Sequence, residues 1–500
     1  MTIAITVLCL ACTLAGAPRW LRVAQREHYL PGSVTWTDQL WFTRFRFSAF
    51  QWLPVLALFL LGMTVSPWFY VATAAAAQVG PVGLSYRGRT AKLVWTPRVR
   101  RLSIVMVLIV LMTGIWGPAF AAGTSIFLTV LIDAALLAVR PVESRLARTF
   151  LEKARARITK VNPTLIAITG SYGKTTTKNY LAHLLSRSHT VLASPASFNN
   201  AMGLSRAVND GLVPGTEVFV AEMGTYGKGE INRLCEVFPP DIAMITAIGE
   251  VHLQRMKDRA GVLAAKSEIA TKARTVVLNV DDDLLVGFAR ELKAQGKEVI
   301  GCSVRDRDAD VAIVDGTLLV RGQEIGAADL PESVHPLNAA CAIGAALALG
   351  DDPAVLRPRL AELPTVAHRL EPREMPDGSW VLDDTYNSNP AGAAEAVRRA
   401  AALAARSGGR FHVVTPGMVE LGAVQRQRNE ELGAAITAAG AATLVVVGQT
   451  NGPALARGAA GGSTEIVRVD TRERGVALVE QRAVPGDVVL FENDLPDHYP

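Results

Sequence analysis

The sequence predicts an α-helical membrane domain followed by two α/β domains, a phosphate-loop central domain and a Rossmann-like C-terminal domain. Three observations carry that prediction. Long uncharged apolar stretches are confined to the first 140 or so residues. From Thr164 onward, strand-like runs alternate with helical patterns, the signature of parallel sheets covered by helices. At the head of that alternation stands a strand, a glycine turn and a helix, TLIAITGSYGKTTTKNY, over Thr164–Tyr180. The boundaries expected are 1–142 for about five transmembrane spans, 143–157 for a juxtamembrane linker helix, 158–364 for the central ATP-binding domain and 365–500 for the C-terminal domain.

Composition sets the frame. Five hundred residues suggest about three domains. Half the chain is hydrophobic and mean hydropathy is +0.24, high for a chain in water. The net charge is +5, with basic residues gathered at 19–46, 87–101 and 140–160. These clusters flank apolar stretches, so membrane topology accounts for them better than nucleic-acid binding. The five cysteines have no metal-ligand spacing beyond Cys9 and Cys12, which lie within an apolar segment.

Thr2–Ala17 is uncharged and lacks the basic start of a removable signal peptide. Ser48–Leu84 is too long for one crossing at ~20 residues and is broken by Pro67. Ser103–Val139 is broken at Gly117-Pro118 and holds one acidic residue, Asp133, a candidate functional group. One helix and two hairpins give five spans, with four as the alternative. The expected setting is a multi-pass protein of the cell membrane, in contact with the lipid bilayer, its catalytic domains cytoplasmic.

In Thr164–Tyr180, Leu165–Ile168 has strand character and Tyr180, Leu181, Leu184 and Leu185 mark one helical face. Between them, Gly170, Ser171 and Gly173 let backbone N–H groups converge on an anion, and the helix aims its positive end there. Lys174 reaches for terminal phosphates, and Thr175, followed by Thr176, offers a hydroxyl to Mg²⁺. The usual G-x-x-x-x-G-K-[ST] spacing would place glycine where Ile168 stands.

Strand runs at Thr190–Ala193, Glu217–Glu222, Asp241–Thr246 and Thr275–Asn279 continue the sheet. Ligands sit off the carboxyl ends of such strands. Glu222, His252, Asn199 and Asn200 therefore stand where chemistry is expected, and Lys266 follows in AKSEI. Asp310–Ile325 reads as a hairpin turning at Asp315-Gly316.

GSYGKTTTK, SFNNAMG, VAEMGTYGKGEI, ITAIGEVHL, AKSEI and LNVDD, in that order, resemble the Mur ligase family, ATP-dependent amide ligases that build the peptide stem of peptidoglycan. EMG…GEI, DDTYNSNP and GMVELG are similar to its D-alanyl-D-alanine-adding branch. The resemblance covers roughly 160–450. It implies ATP and two Mg²⁺ ions as cofactors. Lys174 would bind the β- and γ-phosphates with Gly170, Ser171, Gly173, Thr175 and Thr176; Thr175, Glu222 and His252 would serve the metals. Lys266 would be carbamylated and support the metal site. Lys174, Glu222, His252 and Lys266 would form the catalytic set, with Asn279 and Asn338 on the adenine side.

The C-terminal region alternates again, with strand runs at Trp380–Asp383, Phe411–Thr415, Thr443–Val447, Glu465–Val469 and Asp487–Phe491 and a helix over Ala391–Arg406. By resemblance, Arg369 contacts nucleotide phosphate and Asp384 the ribose. Asn199, Asn200, Tyr386, Asn387 and Asn389 would face the substrate. Two departures stand out. Membrane helices are expected where the family binds the UDP part of its precursor. The chain also ends FENDLPDHYP where a basic stretch is expected.

The reaction implied transfers the γ-phosphate of ATP to a carboxylate, and an amine then displaces phosphate to form an amide. The substrates expected are a cell-envelope precursor, UDP- or lipid-linked, and an amino acid or dipeptide; no nucleic acid is involved. The alternatives are a polymer ligase similar to poly-γ-glutamate synthase and a membrane ATPase that is not a ligase.

Overall fold

The computed structural model describes the chain apart from residues 45, 82–83, 87, 89–91, 196–197, 366–369, 386–387 and 496–500, and apart from the side chains of 44, 46–49 and 371. Arg369, Tyr386 and Asn387 therefore lie outside the described residues. Two compact units emerge, one built on Met1–Leu146 and one on Ala147–Val447 with Asn451–Asp494.

The first unit is helical: Thr2–Arg26, Ser33–Arg44, Arg46–Thr64, Trp68–Val79, Pro97–Gly114, Pro118–Ile126 and the start of Leu128–Val161. Its breaks follow local chemistry. Pro67 opens one helix, and Gly117, at φ 98°, followed by Pro118, opens another. Its core gathers Ile5, Cys9, Leu21, Met106, Val110 and Ile132. Asp133 accepts from the Thr35 amide at 2.8 Å and the Thr35 hydroxyl at 2.6 Å, so it caps the start of the Ser33–Arg44 helix. That structural task accounts for the acidic residue in an apolar run.

The five-span, multi-pass expectation is overturned here. Among the described residues one helix, Thr2–Arg26, is long and apolar enough to cross a membrane. Pro118–Ile126 and Leu128–Val161 would make a second only if joined across an 83° bend. Among the described residues, the prolines and glycines bound shorter apolar pieces such as Phe50–Thr64, and the 18-residue Pro97–Gly114 carries Arg98, Arg100 and Arg101. The 12 residues of Trp68–Val79 reach about 18 Å at ~1.5 Å per residue, against a hydrocarbon core of about 30 Å. The multi-pass cell-membrane localisation falls with that count, and the expected lipid-bilayer partner has no support among the described residues beyond the one candidate helix.

The second unit holds two sheets. Strands β1 (Thr164–Thr169), β2 (Val191–Ala193), β3 (Val218–Glu222), β4 (Ile242–Ile245), β5 (Thr275–Asn279), β6 (Glu298–Ser303), β7 (Val311–Val314), β8 (Thr317–Val320) and β9 (Gln323–Ala327) form a sheet in the order β2-β3-β1-β4-β5-β6-β7-β8-β9. It is parallel from β2 to β7, and β8 and β9 are antiparallel additions. The period of two divides β1 between two cores. Leu165 and Ala167 pack with Phe219 and Val276; Ile166 and Ile168 pack with Leu184, Met244 and Ile343. Burial on both faces explains why the strand reads as a continuous apolar run. Truncating Ile166 to Ala should cost about 2–5 kcal/mol. At the β7–β8 turn, Asp315 (φ 49°) and Gly316 (φ 74°) both lie in the left-handed region, as a two-residue turn of matching twist requires.

The second sheet comprises β10 (Glu371–Glu374), β11 (Trp380–Asp384), β12 (Phe411–Thr415), β13 (Thr443–Val447), β14 (Glu465–Val469) and β15 (Val488–Glu492), in the order β10-β11-β15-β12-β13-β14. All pairs but β10–β11 are parallel. The helix Pro390–Ser407 covers it through Ala393, Ala396, Val397 and Ala400. Two α/β domains are thus present as expected, and β6, β9 and β10 are strands that sequence patterning did not mark.

Candidate active site at the phosphate loop

The carboxyl ends of β1, β3 and β4 converge on one glycine turn. The parallel register sets Ile168 beside Glu222, so Glu222 leaves β3 level with the end of β1. The turn itself is tight. A Cβ on Gly170 would lie 2.0 Å from Thr246 Oγ1. Gly173, at φ 82°, would bring one within 2.5 Å of Asn338 Oδ1. Only glycine satisfies both the left-handed backbone and that approach. The Thr246 hydroxyl donates to the Tyr172 carbonyl at 2.5 Å and braces the turn from β4.

Two lysines meet on one carbonyl. Lys174 Nζ donates to Gly170 O at 2.7 Å and Lys266 Nζ to the same oxygen at 3.0 Å. Lys266 is 2% exposed. Burial, reinforced by the charge on Lys174, pushes its pKa well below the ordinary lysine value. A third lysine, Lys178, is 1% exposed and pairs with Glu222 at 3.2 Å. Thr175 Oγ1 donates to the same carboxylate oxygen at 2.9 Å, and Asn199 Nδ2 to the other at 3.4 Å. Burial alone would raise the Glu222 pKa, but Lys178, Lys174 and the Thr175 hydrogen bond outweigh it and hold the value below the ordinary one. Lys178 and Lys174 facing one carboxylate leave an excess of positive charge suited to a polyphosphate.

Thr175 and Glu222 supply hard oxygen donors in contact, a pair that fits Mg²⁺ when phosphate and water complete the shell. Among the described residues, no group of three or more His, Cys, Asp and Glu side chains is placed to hold a metal by itself. His252 lies apart from Glu222: its Nδ1 meets the Glu420 carboxylate, and Tyr226 stands against its ring with centroids 4.8 Å apart. Asn279 bonds Thr246 O at 3.1 Å and accepts from the Asp281 amide at 2.9 Å. Asn200 and Asn389 cap helices, accepting from Gly203 N at 2.9 Å and Gly392 N at 3.0 Å. Asp384, 8% exposed, ends β11 beside Glu492. Thr176 sits in the first turn of the helix Lys174–Leu185.

The structure thus gathers Lys174, Thr175, Glu222, Lys266 and Asn199 about the turn, with Asn338 against Gly173. Sequence reasoning missed Lys178, Thr246 and Ser171's bonds to Gly249. Lys178 was legible, because Thr175 and Lys178 share a helical face at a spacing of three.

Two family models match the chain. The Mur ligase middle domain matches residues 168–335, and the Mur ligase, glutamate ligase domain matches 368–492. The UDP-N-acetylmuramoyl-tripeptide--D-alanyl-D-alanine ligase of Mycobacterium bovis is 31% identical over 365 residues, 66% of this chain and 70% of that one. The protein of the same name from Bacillus subtilis is 27% identical over 377 residues, 73% of this chain and 78% of that one. The crystal structure of MurF ligase from Thermotoga maritima in complex with ADP superposes with a TM-score of 0.58 at 26% identity, covering 70% of this chain and 80% of that one. With its motifs in order and its strand ends converging on the lysine-bearing turn, the chain belongs to the Mur ligase family of ATP-dependent acid–amino-acid ligases.

Proposed function

We propose that this chain extends the peptide of a cell-envelope precursor, joining a carboxylate on that precursor to the amine of an amino acid or dipeptide. The relatives' printed substrates, a UDP-N-acetylmuramoyl-tripeptide and D-alanyl-D-alanine, are the first pair to test. The observation that supports the reading best is the convergence of Lys174 and Lys266 on Gly170 O beside the Thr175–Glu222 pair.

A carboxylate oxygen of the acceptor attacks the γ-phosphorus of ATP, and ADP leaves. The amine nitrogen then attacks the acyl-phosphate carbon, phosphate departs, and the nitrogen loses a proton as the amide forms. Lys174 and the turn's N–H groups face the negative charge that develops in both steps. Thr175 and Glu222 would hold one Mg²⁺, which neutralises phosphate charge when bound. We assign a second ion to the side of His252, and nucleotide contacts to Gly170, Ser171, Gly173, Thr176, Asn279, Asn338 and Asp384. Burial lowers the Lys266 pKa and so favours the neutral amine that reacts with CO₂, and carbamylation of Lys266 therefore belongs to the proposal. Asn199 remains a candidate substrate contact; Asn200 and Asn389 serve as caps.

Phosphate release from ATP and Mg²⁺ should require both substrates together. Release indifferent to either substrate would overturn the ligase reading in favour of a plain ATPase. Lys266→Ala should lose activity and regain part of it in added short-chain carboxylic acid. An unimpaired variant would remove Lys266 from the mechanism.

A further inference from the structure

The helical unit holds a pocket that the proposed chemistry leaves unused. It encloses about 490 Å³, the solvent at its mouth included, within the range of small-molecule sites. The helices Thr2–Arg26, Ser33–Arg44 and Arg46–Thr64 bring Trp20, Asp38 with Phe42, and Trp52 to its wall. Another part of the wall is fixed from the first helix. Gly16 leaves room for Gln78, since a Cβ there would lie 1.7 Å from Gln78 Oε1. Arg19 donates from Nη1 to the carbonyls of Gln78 at 3.3 Å and Gly80 at 2.5 Å. Gln78 Nε2 in turn donates to Ser125 O at 3.2 Å.

Two aspartates of this unit are drawn away from water, and they differ in their partners. Asp133 accepts from the Val34 amide and from both the amide and the hydroxyl of Thr35. Asp38, on the pocket wall, accepts one hydrogen bond, from the Thr129 hydroxyl at 3.3 Å, and among the described residues no cation pairs with it. Burial, offset only in part by that bond, pushes its pKa up to about 6. At neutral pH the pocket therefore presents a carboxylate that lacks a counter-charge. The rings beside it narrow the choice of cation. Indole and phenyl faces attract an ammonium charge and pack against its alkyl carbons. A hard metal ion wants about six oxygen ligands and gains nothing from aromatic side chains.

We infer that this pocket binds a small organic ammonium ion, its charge paired with Asp38 and its alkyl groups against Trp20, Phe42 and Trp52. The inference stands apart from the ligase reading, because no residue in it belongs to the phosphate-loop site.

The test is calorimetric titration of the full chain with n-butylammonium, with the neutral 1-pentanol and with butyrate, at neutral pH and constant ionic strength. n-Butylammonium should bind saturably and at least about 10-fold more tightly than either control, as a desolvated charge pair worth 1.4 kcal/mol or more requires. Asp38→Asn should remove about 10-fold of that affinity and leave 1-pentanol unchanged. Trp52→Leu should weaken n-butylammonium about 2- to 5-fold, the loss of one partly exposed cation–π contact. Should Asp38→Asn fail to fold, as read from its thermal melt, the three ligands against wild type and Trp52→Leu carry the test. Glycerophosphoethanolamine that displaces n-butylammonium would identify a lipid headgroup as the source of the ion, and failure to displace it a free amine; both uphold the cation site. Equal binding of 1-pentanol and n-butylammonium overturns the inference. So does undiminished n-butylammonium binding in a folded Asp38→Asn, or the absence of saturable binding in wild type.

Discussion

Glu222 stands at the carboxyl end of β3 and is 2% exposed; Glu492 stands at the carboxyl end of β15 and is 0% exposed. Both end a parallel strand, and both are withdrawn from water. Their neighbours differ. Glu222 faces Lys178, Lys174 and the Thr175 hydroxyl, and its pKa is held below the ordinary value despite burial. Among the described residues Glu492 accepts from hydroxyls, Thr415 at 2.5 Å and Ser388, and burial pushes its pKa up because these two offset only part of the penalty. One strand end is therefore built to keep a charge and the other to suppress one. Burial sets the cost, and the charge of the partners decides the outcome. This contrast supports the proposal that phosphate and metal are handled at the first sheet.

The comparison breaks most readily at its charged end. Lys174→Ala should lower kcat/KM at least about 10²–10³-fold, the usual loss when one donor facing developing charge is removed. Steady-state phosphate release measured from subsaturating to saturating substrate checks it, and a near-normal kcat/KM would put the chemistry elsewhere. Lys178→Met leaves a buried carboxylate short of its ion-pair partner and should destabilise the fold by about 3 kcal/mol, measured by denaturant unfolding. Gly173→Ala combines a left-handed backbone with a clash at Asn338 and should cost about 1–3 kcal/mol, with weaker nucleotide binding.

The smallest effect belongs to the end whose carboxyl pKa is pushed up. Glu492→Gln preserves an acceptor for Thr415 and should change stability by about 1 kcal/mol or less. Its sign with pH is specific. A folded pKa above the ordinary 4.5 gives a contribution fully present below about pH 4.5 and lost as pH rises through the raised value. The glutamine variant should therefore gain on wild type as pH climbs, read from unfolding midpoints across pH 4–9. Glu222 has the opposite sign: its contribution is present above about pH 4.5 and lost as pH falls through its lowered value. A flat difference between wild type and Glu492→Gln would show that Glu492 is ionised in the folded protein.

Much of the fold was written locally. Strands rich in branched residues, such as Phe411–Thr415 and Thr443–Val447, fall where the sequence pattern sets them because both faces pack. The glycine turn was legible because its spacing obeys backbone sterics. Contacts between distant segments were not. Glu250–Arg428 and His252–Glu420 join residues 178 and 168 positions apart, and nothing local announces them. Asn200 and Asn389 look like substrate ligands in sequence, but each precedes a helix, and its nearest orphan donor is its own chain's backbone. The apolar N-terminal stretches misled in a different way. Hydropathy over 30 or so residues suggests crossings, yet Pro67, Gly117 and Pro118 divide it into helices that are short, as Trp68–Val79 is, or charged, as Pro97–Gly114 is at Arg98, Arg100 and Arg101.

Asn451 gives the protein a clock for chemical ageing. It precedes Gly452, the sequence context in which an asparagine amide most readily cyclises onto the following nitrogen and hydrolyses to a carboxylate. In the folded chain it is 3% exposed, donates to Pro416 O at 3.0 Å and accepts from Gln425 at 2.9 Å, so it has little freedom to take that path. Once converted, the new negative charge would face the Pro416 carbonyl with no donor to offer it, and the loop could not close again as before. Mass gain at Asn451 during storage would thus record how often this corner opens, long before any loss of turnover was seen.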